Sequence, residues 1–273
     1  MWSGLLKSMV PVSAVLVLAP VLVAQSGQSA DEARVAPAPK RTIAGVWGRQ
    51  AGDPSLSAIH SLSGVARGPG FVDFPPMTEW GQARFEANRP GYGIRQQPMG
   101  NDPRLRCMPL GVPRTIWGGG EFIELPTKVL HLMGEDLRQI ATDGRPLEVD
   151  PPEFRYSSGW TGQAVGRWED DYTFVVESAG FHDLSWLSEE GLPHSEERRL
   201  VERYTRVDAE TMILEATIDD PKTYTELYEV IPVTFKLSSD GSNVRTPSPC
   251  DPDAEKRFEE LIRRKAVEPP DSN

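Results

Sequence analysis

The densest gathering of chemically able side chains lies between Phe181 and Tyr204, in the run FHDLSWLSEEGLPHSEERRLVERY. It holds two of the chain's four histidines, His182 and His194, together with Asp183, Glu196 and Glu197. Histidine titrates near neutral pH and is the commonest general acid or base. A neighbouring carboxylate can fix its tautomer or raise its pKa. Three readings follow. His182 or His194 could act as a catalytic base oriented by Asp183, Glu196 or Glu197. His182 and His194 with one of those carboxylates could instead hold zinc or iron. Or the segment is a polar connection whose charges are solvated and hydrogen-bonded. No cofactor is expected beyond a divalent metal under the second reading.

The strand that follows, RLVERYTRVD (199–208), alternates in a second suggestive way. Leu200, Glu202, Tyr204 and Arg206 share one face, because strand side chains repeat with a period of two. Turned into a barrel, that face supplies a carboxylate, a phenol and a guanidinium to orient a small ligand. Turned outward, it is a charge ladder of small worth. We expect Glu202 to face solvent and Tyr204 to be partly buried, with Tyr204 and Arg206 as polar anchors. Trp168 and Trp186, with Trp117 and Trp160, could line an apolar pocket or belong to the ordinary core. His131 alternates with Val129 and Met133 and reads as a hydrogen-bonded core residue.

These residues need a scaffold, and the pattern supplies one. From Glu121 onward, short runs rich in β-branched and aromatic residues are separated by tight turns such as Gly134-Glu135-Asp136 and Glu169-Asp170-Asp171. The expected strands are 121–125, 128–133, 137–142, 163–168, 172–177, 199–208, 211–219 and 230–237. Gly45-Val46-Trp47 adds a ninth. Many strands at hairpin spacing, without long helices between them, predict a mainly β fold: an antiparallel barrel or sandwich. Residues 42–120 read as an irregular Gly- and Pro-rich lobe with one helix from Thr78 to Asn88, capped by Thr78 and presenting Trp80, Ala83, Arg84 and Ala87 on one face. A C-terminal helix is expected after Asp251, with Phe258, Leu261 and Ile262 on its apolar side. Residues 42–273 read as one structural unit.

The N-terminus predicts export. Lys7 precedes an apolar run from Met9 to Ala24, and small residues follow, as in a secretory signal peptide over 1–26. Residues 27–41 read as a flexible leader. The destination is periplasmic or extracellular, where disulfides persist. The two cysteines, Cys107 and Cys250, are then expected to pair, closing a loop of roughly 140 residues worth about 4–5 kcal/mol in the chain-entropy picture. The formal net charge of -11 argues against nucleic-acid backbones and anionic lipid as partners. No later stretch is apolar enough to span a bilayer. G-x-S-x-G, P-loop, H-E-x-x-H and C-x-x-C motifs are all absent.

Two resemblances add to this. Gly45-Val46-Trp47 ahead of antiparallel hairpins looks like the G-x-W start of lipocalin-like (calycin) barrels, which implies a barrel around a small molecule. TEWGQARFEANRP (78–90), NDPRLRCMPLGVPR (101–114), QIATDGRPL (139–147), VGRW (165–168) and HSEERRLVERYTRVD with TIDDPKTYT (194–225) resemble a family of exported, uncharacterised soil-bacterial proteins. That resemblance implies export and a β-rich domain, and no activity. Three functions stand: a barrel binding a small, largely apolar molecule; a hydrolase, lyase or isomerase using a His–carboxylate pair; and a structural or partner-binding envelope protein.

Overall fold

The computed structural model describes residues 36–50, 75–88, 102–134, 136–149, 159–188 and 191–238, with Asp251 and Asp253. The expected signal peptide, Cys250 and most of the C-terminal helix lie outside the described residues.

Nine strands close into one barrel in chain order: β1 (Gly45–Arg49), β2 (Gly119–Leu125), β3 (Lys128–Met133), β4 (Asp136–Ala141), β5 (Gln163–Trp168), β6 (Thr173–Ala179), β7 (Arg199–Arg206), β8 (Thr211–Asp219) and β9 (Tyr228–Leu237). β9 returns to β1 through Trp47↔Leu237 and Gly48↔Lys236, which closes the ring of described strands. The irregular lobe thus contributes the first strand. Pro232 sits in β9 where the register against β8 slips between Leu214 and Ala216. A bulge is where a strand tolerates a residue without an N–H.

One seam departs from the antiparallel expectation. β4 and β5 run parallel and share only Ile140↔Ala164 and Ala141↔Val165. Parallel neighbours need a long connection, and residues 142–162 provide it. An outer cleft of about 800 Å³ lies along this seam, lined by Lys128, Gln139, Leu147 and Val165 among others.

The period-two pattern sends Trp47, Phe122, Val129, Ile140, Phe174, Val176, Leu200, Leu214, Val233 and Phe235 into a shared core. Each such buried side chain is worth about 1.5–3 kcal/mol of hydrophobic transfer.

The helix forms where the sequence places it: α1 spans Glu79–Asn88, and Thr78 Oγ1 accepts from the Gly81 N–H at 3.1 Å. Its inner face is a correction. Gly81 and Phe85 are buried, whereas Ala83, Arg84 and Ala87 are exposed. The reason is close approach: a Cβ on Gly81 would lie 2.2 Å from the Thr223 carbonyl oxygen. Trp80 stays half-buried, with Arg84 and Lys222 over its ring at 5.4 and 5.1 Å.

Candidate functional site

The inward row of β7 is the alternation expected, and it lies wholly inside. Leu200, Glu202, Tyr204 and Arg206 are 0, 0, 1 and 5 % exposed. The expectation that Glu202 faces solvent is therefore corrected. Its carboxylate is tolerated inside because β4 brings a partner. Arg138 Nη1 donates to Glu202 Oε2 at 2.9 Å, and its Nη2 stands 2.8 Å from Oε1. Arg138 also donates to the Ser178 hydroxyl, and the Tyr204 phenol donates to Glu202 Oε2 at 2.7 Å. A buried ion pair needs such extra hydrogen bonds to offset desolvation. Burial works against the charge on Arg138, but the Glu202 carboxylate outweighs it and the pKa is raised. Burial, reinforced by Glu202, holds the Tyr204 phenol well above its ordinary range.

β3 contributes His131, buried at 1 % exposure. Its ring stacks on Phe122 with centroids 3.9 Å apart and planes at 17°. Tyr204 meets it edge-on at 6.4 Å. Gly120 makes room, since a Cβ there would come within 2.8 Å of His131 Nε2. Both ring nitrogens are buried without a hydrogen-bond partner, where a hydrogen-bonded core residue was expected. Burial, and then the Arg138 charge, push its pKa well below the usual imidazole range. The ring is neutral at pH 7 and presents one donor and one acceptor.

Arg206 proves to be a fastening. It donates to the carbonyls of Thr42 and Ala209 and lies 4.8 Å over the Trp47 ring, tying the lead-in to β1 onto the β7–β8 turn. Trp168 is half-buried against Phe174 at 5.2 Å. Trp186 is core, 6 % exposed.

Within the segment from Phe181 to Arg198, Asp183 and Glu197 turn to basic partners on other elements. Asp183 pairs with Arg84 at 2.8 Å on the surface. Glu196 and Glu197 are exposed, and Glu197 reaches Lys222 at 3.6 Å. His182 rests edge-on against Trp160 at 5.6 Å. His194 is buried; its Nε2 is 3.0 Å from Ser185 Oγ and its Nδ1 is 3.2 Å from the Ser195 carbonyl. A carbonyl only accepts, so the proton sits on Nδ1 and Nε2 accepts from the Ser185 hydroxyl. Burial, with the Arg198 charge, keeps His194 neutral by driving its pKa well below normal.

The carboxylate that does reach this end of the barrel is Asp220. It accepts from Ser195 N, Ser195 Oγ and Thr223 Oγ1 at 2.7, 2.6 and 2.8 Å. Among the described residues no group of three or more His, Cys, Asp or Glu side chains is placed to hold a metal ion, and no helix is long and apolar enough to cross a membrane.

Arg138, Ser178, Ser185 and Asp220 were missed in the sequence. Arg138 carried a signal, since it shares a face with Ile140. Asp220 carried a weaker one, the strand-ending Asp-Pro step before Pro221. Ser185 carried none. The chain matches no family model, no curated protein and no solved structure.

Proposed function

We propose that this is an exported β-barrel protein that binds a small, largely apolar molecule inside the barrel, with His131 as its polar contact. The observation carrying the reading is the neutral His131 ring, whose two buried nitrogens have no partner, in a barrel whose core holds Phe122, Val129, Met133 and Leu214. Burying a polar group without a hydrogen bond costs about 1–3 kcal/mol. A ligand hydroxyl, carbonyl or amide would recover that cost. The test is titration of the purified mature protein with a neutral fluorescent probe, N-phenyl-1-naphthylamine, and its displacement by apolar alcohols and amides. His131→Phe keeps the stack on Phe122 and should weaken the alcohols about tenfold or more. Unchanged affinity in that variant sinks the assignment of His131.

Export rests on the 1–26 signal and on the resemblance to exported soil-bacterial proteins. It carries with it the proposed Cys107–Cys250 bridge. Mass analysis of secreted protein should find cleavage near Ala24 to Ser26, and no free thiol before reduction.

A second reading has its own observation, the Ser185–His194 contact of 3.0 Å. As a hydrolase, His194 Nε2 would take the Ser185 proton as Oγ attacks an ester carbonyl and would pass it to the departing alcohol; a water, deprotonated by the same nitrogen, would then release the acid from the acyl-serine and return the proton to Ser185 Oγ. Turnover of a nitrophenyl ester that is lost in both Ser185→Ala and His194→Gln, but kept in Ser188→Ala, would establish it. Turnover that survives Ser185→Ala would exclude it.

A further inference from the structure

The buried guanidiniums among the described residues differ in how their charge is met. Arg114 grips Asp102 through two contacts of 3.1 and 2.6 Å. Arg138 is held by Glu202, and Arg206 by two backbone carbonyls. Arg198 is the exception. It continues the inward row of β7 one step before Arg199 and is 1 % exposed. Its Nη2 donates to the Val112 carbonyl at 2.7 Å, while Nε and Nη1 are buried with no acceptor. The Phe181 ring covers one face of the guanidinium at 3.8 Å.

Nearby carboxylates do not satisfy it. Asp220 acts on Arg198 through space, but its oxygens are taken by Ser195 and Thr223. Glu202 is held by Arg138 and Tyr204. Burial lowers the Arg198 pKa only to about 9, so the group remains a cation at neutral pH. A buried cation with a single neutral hydrogen bond is destabilising until an anion meets it.

We propose that Arg198 holds the anionic end of the bound molecule, which makes the ligand an elongated monocarboxylic acid with an apolar body. This deepens the barrel-binding reading above and rests on it. One unmatched guanidinium beside an aromatic face suits a single planar negative charge; a phosphate dianion would demand more donors. The row's geometry sets the shape. Arg198 and Tyr204 are six positions apart on an extended chain, roughly 20 Å at about 3.3 Å per residue. A carboxylate at Arg198 therefore leaves a long apolar body to run past Leu200 toward Tyr204, and a hydroxyl or carbonyl at its far end would meet His131.

The test uses matched pairs of straight-chain carboxylic acids and alcohols of equal length, competing with the neutral naphthylamine probe on the whole mature protein. The acid should bind roughly tenfold or more tightly than its alcohol, the advantage of a charge-assisted contact. Arg198→Met should abolish that difference by weakening the acid, and should raise the melting temperature of the empty protein. Arg198→Lys, which keeps the charge without the planar fork, should retain a reduced preference. Equal binding of acid and alcohol by the natural protein, or an acid preference that survives in Arg198→Met, overturns the inference while leaving barrel binding intact. Failure of the probe and every competitor to bind removes the barrel reading, and this inference with it.

Discussion

The Arg138 guanidinium reaches from β4 to the Glu202 carboxylate on β7, with contacts of 2.8 and 2.9 Å and neither side chain touching solvent. Removing one member strands the other as a buried charge, which costs about 3–5 kcal/mol. Glu202→Gln should lose that much in urea denaturation. Replacing both, as Arg138→Met with Glu202→Leu, should recover most of it, because an apolar pair of similar volume needs no desolvation. A double variant as unstable as the single one would mean that the pair is worth more than its desolvation.

His131 and His194 predict acid sensitivity. Both pKa values are pushed below the ordinary imidazole range by burial, helped by Arg138 for the first and Arg198 for the second. The unfolded chain therefore binds more protons than the folded one below about pH 6.5, the unfolded value. Stability is fully present above that pH and falls as pH drops through it, by up to about 1.4 kcal/mol per unit for each histidine. Denaturation midpoints between pH 7.5 and 5.5 should show the slope, and His131→Phe should remove about half of it.

Gly81→Ala inverts the usual helix rule. Alanine normally gains about 1 kcal/mol over glycine inside a helix. Here the added Cβ would fall 2.2 Å from the Thr223 carbonyl oxygen, so α1 must move off the strand-end loop. A net loss of about 1–3 kcal/mol is expected, read as a lower melting temperature.

Asp220 and Arg198 should behave as a coupled pair although no hydrogen bond joins them. Asp220→Ala orphans three donors, Ser195 N, Ser195 Oγ and Thr223 Oγ1, and should cost about 3 kcal/mol or more. It also deletes the opposing charge that acts most strongly on Arg198. In an Arg198→Met background the same change should cost about 1 kcal/mol less. Strict additivity would show that Asp220 acts through its hydrogen bonds alone.

Several strands were legible to the residue. β3, β5 and β8 run over 128–133, 163–168 and 211–219 as the alternation indicates, because each is a short run with apolar residues at alternate positions, stopped by a turn signal. The parallel seam was hidden, since nothing in residues 142–162 says which strand β5 will lie beside. The polar row of β7 was legible as a row but not in its direction. Both faces of that strand carry charge, Arg199 and Arg203 on one and Glu202 and Arg206 on the other, so hydrophobicity could not say which face turns inward. The deciding partner, Arg138, lies three strands back. The histidine loop misled for a similar reason. Its carboxylates are neighbours of His182 and His194 in sequence, but Asp183 and Glu197 turn to Arg84 and Lys222, and the groups that meet His194 are Ser185 and a backbone carbonyl.

The two-pair join between β4 and β5 bears on rates as well as architecture. The antiparallel joins are longer ladders, for instance eight register pairs between β7 and β8. The seam is therefore the place where the wall parts at least expense, and local opening of this kind spans a wide range of free energies within one protein. With Trp47 1 % and Phe181 0 % exposed at the two ends of the β7 row, the interior binding proposed above would have to follow the breathing of this seam. Uptake would then be slow and nearly independent of which molecule enters, with release just as slow, and amide exchange in Ile140 and Ala164 would set the clock for both.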